Sequence, residues 1–261
     1  MITSTSNSQI KNITALLRKS SERKKQGLYV VEGVRMFQEI PRDRLQGIYA
    51  TEDFVKNNGG LLKKHKYELV SDRVFEQMSD TKTPQGILAI VRKNEYTLED
   101  CLTTDRQPLL VLLENLQDPG NLGTILRTAE GAGATGIIMS GDTVDIYNPK
   151  VIRSTMGSLY RMPFIYTDNL VEMAEDLKAR GITLYAAHLR ESTNYFSEDY
   201  TSACGIMIGN EGNGLSNVLT SKADFLVKIP MAGRVESLNA AVSTAVILYE
   251  AARQRAQNLT K

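Results

Sequence analysis

Residues 108–140 read PLLVLLENLQDPGNLGTILRTAEGAGATGIIMS. PLLVLLE is apolar at nearly every position, as expected of a strand covered on both faces of a parallel sheet. A polar Pro-Gly turn follows, then a helix over NLGTILRTAEGAG, then a second apolar strand, GIIMS. Strand, helix and strand in this order are the repeating unit of an open parallel α/β sheet. The rest of the second half continues the rhythm. Helices are expected over NPKVIRSTMGSLY and LVEMAEDLKARG, and strands over TLYAAH, CGIMIG and FLVKIP. In the final helix Leu238, Ala241, Val242, Ala245, Leu248, Tyr249 and Ala252 recur at helical spacing. That stripe reads as core packing, with part of the face open to a subunit interface.

Upstream, Asn94–Gln107 (NEYTLEDCLTTDRQ) is polar and lies between two apolar strands. It reads as a linker, with a helical stretch within it left open. Residues 1–93 then form a small α/β domain. A helix is expected over residues 8–25, with Ile10, Ile13, Leu16 and Leu17 as its apolar stripe. LYVVEG is a strand ending in a turn at Gly33, VRMFQEI a helix, and GIYA, YELV and GILAIV further strands. The expected division is therefore 1–93, a linker 94–107, and 108–261.

At 42% hydrophobic and 23% charged residues, the composition is that of an ordinary soluble globular protein. No apolar run reaches the ~18 residues of a membrane span. The segment MITSTSNSQIKN has no apolar region of the secretory kind. Cys101 and Cys204 are the only cysteines, too few for a disulfide framework or a cysteine-rich zinc site, and a reducing cytoplasm is expected. The net charge of +1 conceals an asymmetry. Residues 1–107 carry 18 Lys and Arg against 14 Asp and Glu, while residues 108–261 carry 13 against 16. Polyanion binding is expected to begin at the N-terminal end, on Lys11, Arg18, Lys19, Arg23, Lys24 and Lys25. The other reading of those cations is a solvated helix face.

Three segments are unlike generic α/β sequence. In Glu114–Ala134 a strand runs through a polar turn into a helix. Asn121 is the expected N-cap, because its amide oxygen can accept from unpaired backbone N–H groups. Arg127, among Ile125, Leu126 and Ala129, either snorkels or meets an anion. In Ile206–Ser216 (IMIGNEGNGLS) a buried strand ends in three glycines within six residues. Glycines let the backbone approach a ligand closely, and loops at the carboxyl ends of parallel strands are where α/β ligands bind. A pure turn would not need the carboxylate of Glu211. In Lys228–Gln254 a strand ends at Pro230, and Ser237 or Asn239 could cap the last helix. Dinucleotide and P-loop glycine signatures, HExxH metal spacing and a GxSxG elbow are absent from the sequence. His65 and His188 stand alone and read as structural.

These three segments, in this order, resemble the motifs of the SpoU/TrmH family, a branch of the SPOUT RNA methyltransferases. Asn121, Gly123 and Arg127 match the first motif. Gly209, Glu211, Gly212 and Gly214 match the second. IPMAGRVESLNAAVSTAVILYE, with Ile229, Ser237, Leu238 and Asn239, matches the third, and Ser154–Pro163 (STMGSLYRMP) resembles a further family segment. The resemblance spans residues 108–255. YVVEG and TPQGILAIV look like the α/β substrate-binding domain that many members carry ahead of the catalytic one.

The resemblance implies a SPOUT fold with a parallel sheet and a C-terminal trefoil knot, preceded by a small α/β RNA-binding domain. It implies S-adenosylmethionine as cofactor, bent between the loops of the second and third motifs, and a homodimer with the site beside the subunit interface. The implied activity is 2′-O-methylation of a ribose in RNA, with ribosomal RNA favoured by analogy with the N-terminal domain type. Gly209, Asn210, Gly212, Ile229, Met231 and Leu238 would hold the cofactor, and no metal is required. Arg127 would face the target nucleotide, where it is often assigned the role of base. A guanidinium with a pKa above about 12 rarely loses its proton, so an electrostatic role on a phosphate and the developing alkoxide is preferred. Asn121, Glu211, Ser237 and Asn239 would orient Arg127, the ribose and the cofactor loops. The alternatives are a non-enzymatic RNA-binding protein on the same scaffold and a nucleotide-dependent oxidoreductase. Binding of S-adenosylmethionine against NAD separates them.

Overall fold

A computed structural model describes residues 1–102, 106–189 and 192–258. Contacts divide the chain into two compact units, Met1–Glu95 with Asp145–Tyr160, and Tyr96–Val144 with Arg161–Lys261.

The first unit contains helices α1 (Ser8–Arg18), α2 (Ser20–Gln26), α3 (Val34–Gln38), α4 (Glu52–Asn58) and α5 (Asp72–Met78) and strands β1 (Leu28–Glu32), β2 (Leu45–Ala50), β3 (Glu68–Leu69) and β4 (Ile87–Arg92). The sheet order is β1-β4-β2-β3, with β4 antiparallel to both neighbours and β3 parallel to β2. Ile10, Ile13 and Leu16 of α1 pack with Val30, Val74, Phe75, Met78 and Leu88. The single helix expected over residues 8–25 is two helices, broken at an extended Lys19 (φ −121°). The apolar stripe stops at Leu17, so SSERKKQ has no hydrophobic face with which to prolong α1. Instead Arg23 turns beneath the end of α1 and donates to the carbonyls of Leu16 (2.7 Å) and Leu17 (3.2 Å). Those are carbonyls that the helix end leaves unpaired.

Asp145–Tyr160, which sequence places inside the second domain, packs within this first unit. Asp145 pairs with Arg23 at 2.6 Å, and the Tyr147 ring lies 4.6 Å from that of Tyr29. The Tyr160 hydroxyl donates to the Met36 carbonyl at 3.1 Å. The helix expected over NPKVIRSTMGSLY is likewise shorter. Its helical part, α8 (Pro149–Thr155), stops at Met156 (φ 51°) and Gly157 (φ 98°), and a 3-10 turn, Ser158–Tyr160, follows. Two successive left-handed residues cannot continue a right-handed helix.

The second unit holds α6 (Leu98–Leu102), α7 (Pro119–Ala132), α9 (Leu170–Ala179), α10 (Asn217–Thr220) and α11 (Ala240–Asn258). Its strands are β5 (Leu109–Leu113), β6 (Gly136–Ser140), β7 (Phe164–Thr167), β8 (Thr183–Ala187), β9 (Thr193–Asn194), β10 (Cys204–Ile208) and β11 (Phe225–Lys228). They form one sheet ordered β7-β6-β5-β10-β8-β11-β9, parallel throughout. This is the parallel α/β sheet read from the sequence. β7, of four residues, and β9, of two, are additions to the strands expected from the sequence. Leu110, Leu112, Leu184 and Met207 pack against Leu170, Ala174 and Leu177 of α9. The alternate residues, including Val111 and Ile206, face the other way by the pleat of the strand. Residues 94–107 are in part a packed element. Cys101 of α6 is fully buried against Gly136, where a Cβ would collide with it. Residues 103–105 of that stretch lie outside the described residues.

β10 enters the sheet between β5 and β8, although β6 and β7 follow β5 in the chain. The insertion aligns Ile208 with Leu113. It therefore sets the loop after β10 beside the loop after β5, at a point where strand order reverses, the usual place for an α/β ligand site.

Candidate active site

The loop after β10 is built around Gly209 and Asn210. A Cβ on Gly209 would overlap the backbone of Gly214 and Leu215, so only glycine permits the fold-back in which Asn210 and Gly214 pair. The Asn210 side-chain oxygen accepts from the N–H groups of Gly212 (2.8 Å) and Asn213 (3.2 Å). Its amide nitrogen donates to the Asn115 carbonyl at 2.8 Å. Asn115 itself has a positive φ of 52°. Glu114 accepts from the Ser216 N–H and hydroxyl, both at 2.7 Å. Two sequence-distant loops are thus laced together from both ends.

Glu211 is the centre of a longer chain of bonds. Its carboxylate accepts from the Asn121 side-chain amide (3.0 Å) and from the N–H groups of Asp118 (3.0 Å) and Gln117 (3.2 Å). The Asn121 oxygen accepts from Asn239 Nδ2 at 2.9 Å, and Asn239 Oδ1 accepts from the Ala241 and Val242 N–H groups that open α11. The two ends fix the polarity. An ionised carboxylate only accepts and a helix N-terminus only donates, so each asparagine between them has one permitted orientation. Burial pushes the Glu211 pKa up, but the Asn121 amide and the surrounding backbone N–H groups outweigh it and hold the carboxyl below its ordinary value. Glu211 is therefore an anion and an acceptor at neutral pH, a poor candidate for a proton-shuttling base.

Asn121 is not the N-cap that its spacing suggested. Asp118 caps α7, accepting from the Asn121 N–H at 2.8 Å, and Pro119 takes the first turn. Asp followed by Pro is the stronger helix-start signal, because proline loses nothing at a position whose N–H has no helical partner. The displacement frees the Asn121 side chain to join Glu211 to Asn239. Of the two possible caps of the last helix, Asn239 is the one used.

A cavity of about 590 Å³ opens at the carboxyl ends of β8, β10 and β11. Gly209, Asn210, Gly212, Ile229, Met231 and Leu238 all line it, as do Glu211 and Ser237. Asn121 and Asn239 stand behind Glu211, outside the lining. Arg127 is elsewhere. It is exposed on α7, outside the cavity lining, and no described residue forms an ion pair or hydrogen bond with it. Sequence reasoning passed over Glu114, Asn115 and Gln117, whose partners lie far along the chain, and His188, which also lines the cavity.

The cations assigned to polyanion binding are not brought together as one set. Lys11, Arg18, Lys19, Lys24 and Lys25 are exposed. Arg23 is buried, and its guanidinium is taken up by Asp145 and two carbonyls. Neither cysteine is positioned for nucleophilic chemistry, since burial raises the Cys101 thiol to about 12 and Cys204 to about 11. Among the described residues no cluster of His, Cys, Asp and Glu could hold a metal ion.

The SpoU rRNA methylase family matches residues 108–249, and the MRM3-like substrate binding domain matches residues 7–89. The chain is 32% identical over 251 residues to a Bacillus subtilis protein named 23S rRNA (guanosine(2553)-2′-O)-methyltransferase RlmP, covering 95% of this chain and 97% of that one. It is 34% identical over 204 residues to a Streptomyces viridochromogenes 23S rRNA (uridine(2479)-2′-O)-methyltransferase, covering 76% and 71%. Among solved structures, the SpoU methyltransferase AviRb from S. viridochromogenes in complex with AdoMet superimposes with a TM-score of 0.86. The two are 30% identical over 96% of this chain and 98% of that one. An AdoMet-bound rRNA methyltransferase from Sinorhizobium meliloti gives 0.85 at 31% identity, covering 97% of each. With both halves matched and full-length likeness at this identity, the chain belongs to the SpoU rRNA methylase family.

Proposed function

We propose that this chain is an S-adenosylmethionine-dependent enzyme that methylates a ribose 2′-oxygen of ribosomal RNA. The observation that carries the reading is the Glu211–Asn121–Asn239 chain, which ties the three motif segments into one rigid rim at a cavity. The residues present fit the cofactor. The cavity has the size of a small-molecule site. It combines apolar walls from Ile208, Ile229, Leu238 and Ile247 with a glycine-rich polar loop, as a nucleoside joined to a charged amino acid requires. Gly209, Asn210, Gly212, Ile229, Met231 and Leu238 would hold it, and it would supply an electrophilic sulfonium methyl group.

The protein's own part is positional and electrostatic. Fixing the acceptor against the methyl donor can supply much of the rate. Asn121, Glu211 and Asn239 hold the loops, and Ser237, which lines the cavity, would help orient the ribose. Arg127, which pairs with no described residue, would favour the RNA phosphate and the alkoxide that develops at the 2′-oxygen. Residues 1–93 form the RNA dock and residues 108–261 the catalytic domain, with the family's trefoil knot. The enzyme acts as a homodimer in the cytoplasm. In support of the dimer, Val242 and Tyr249 are about half exposed along one stripe of α11. The reading is tested with labelled S-adenosylmethionine and a 23S rRNA transcript. Label should pass to the RNA. A chain that binds RNA without transferring label would be a binding protein on the same scaffold.

A further inference from the structure

In the N-terminal unit a cleft of about 360 Å³ is lined by Arg42, by residues 45–48 of β2, and by Lys64, His65 and Lys66. No carboxylate is among the lining residues. Arg42, Lys64 and Lys66 are exposed, and no described residue forms an ion pair or side-chain hydrogen bond with them. Elsewhere in the unit Arg23 and Arg153 are each taken up by a carboxylate at 2.6 and 2.7 Å. Desolvated or paired cations cannot take up a new anion cheaply, whereas free ones can. The cleft also has a backbone component. β3 pairs with β2 at Tyr49 and Ala50, so among the described residues no strand lies beside residues 45–48 on that side. A strand edge without a neighbour can present N–H groups as donors to an anion. Tyr67, next to Lys66 in sequence, is 37% exposed and offers a face on which a base can stack.

We propose that this cleft binds the phosphodiester backbone of the RNA substrate, as a contact separate from the cations of α1 and α2. The proposal rests on the reading of the chain as an enzyme acting on RNA. Three cations beside an extended sheet edge suit a chain of phosphates better than one isolated phosphate, because successive charges can be met in turn. Each phosphate contact releases counterions, so it contributes to the salt dependence of binding.

The test is filter binding of a 23S rRNA transcript to the full chain over a series of salt concentrations. Two variants are compared with the parent: Arg42→Glu/Lys64→Glu/Lys66→Glu and the milder Arg42→Gln/Lys64→Gln/Lys66→Gln. Thermal unfolding and S-adenosylmethionine affinity report whether each is folded. The charge-reversed chain should bind at least about tenfold more weakly near 0.1 M salt, and its slope of log affinity against log salt should be shallower by about 2. The glutamine variant should show the same slope change with a smaller loss. A folded variant with the parent's affinity and slope overturns the cleft, as does a loss confined to inorganic phosphate with RNA binding unchanged. A parent chain that neither binds nor methylates the transcript removes the functional reading, and the cleft with it.

Discussion

Beside the cavity at the carboxyl ends of β8, β10 and β11, Glu211, Asn121 and Asn239 are joined in one chain of bonds that ends on the first N–H groups of α11. Around the N-terminal cleft, Arg42, Lys64 and Lys66 pair with no described residue. The two regions face different physical problems. A site that aligns two reactants must be ordered before they arrive, since misplacement of about 1 Å costs rate steeply. A surface that holds a polyanion gains by exchanging mobile counterions for phosphates, which requires cations that the fold has not already neutralised. Arg23 belongs to neither group. It sits in a basic stretch but serves as a structural bolt between α1, α2 and Asp145.

The largest effect should come from that bolt. Arg23→Ala leaves Asp145 without its partner in a largely buried place, a loss of about 3–5 kcal/mol for interactions of this kind. Urea unfolding of the full chain measures it. A loss below about 1 kcal/mol would return Arg23 to the pool of cations available for RNA. The same contacts bear on a chain cut at Pro108. Asp145, Tyr147 and Tyr160 would lose their partners from residues 1–95, so such a fragment should unfold at lower temperature than the full chain. Equal melting temperatures would mean that Asp145–Tyr160 is indifferent to the N-terminal unit.

Arg127→Ala comes next. If Arg127 meets the developing charge as proposed, its loss should lower turnover by about 10²-fold or more, the scale of losing one electrostatic group from a transition state. Arg127 lies outside the cavity, so calorimetric affinity for S-adenosylmethionine should be unchanged. A folded variant that loses cofactor affinity would place Arg127 in the cofactor site.

The smallest effect concerns Glu211. Glu211→Gln sets an NH₂ group against N–H donors from Gln117, Asp118 or Asn121. The loop keeps a solvent-facing side, so the stability change should be on the order of 1 kcal/mol. Its effect on turnover should exceed its effect on melting. The pH dependence has a definite sign. A carboxyl held below its unfolded value near 4.5 stabilises fully above that value and loses the contribution as pH falls through the folded pKa. Parent and Glu211→Gln melting curves should therefore converge below about pH 4.5 and differ by a constant amount at neutral pH. A gap that widens on acidification would contradict the assignment of Glu211 as an ionised acceptor.

Much of this was legible in the sequence because it rests on local patterns. The run from Pro108 to Ser140 announces a buried strand, a turn and a helix. The glycines of Gly209–Gly214 announce a loop that can approach a ligand closely, although its fold-back of Asn210 onto Gly214 is a structural finding. What could not be read depends on distance along the chain. Glu114 and Ser216 are 102 residues apart, and nothing in either neighbourhood names the other. Arg42 and Lys64 meet across a cleft from two unremarkable loops, while the denser basic stretch near residue 20 drew the assignment. Asn121 was misplaced for a local reason, since Asp118 and Pro119 compete for the same helix start and win. The continuous helix over residues 8–25 failed because periodicity reports which face is apolar. It says nothing once apolar residues run out, and a buried arginine then decided the geometry.

The central claim is that the methyl group goes to a ribose oxygen. It is tested by digesting a 23S rRNA transcript methylated by the chain to nucleosides and identifying the modified one by mass spectrometry. The account predicts a single 2′-O-methylated nucleoside, with the mass increase on the sugar fragment and an alkali-resistant bond at one position of the transcript. A mass increase carried by the base fragment would contradict it.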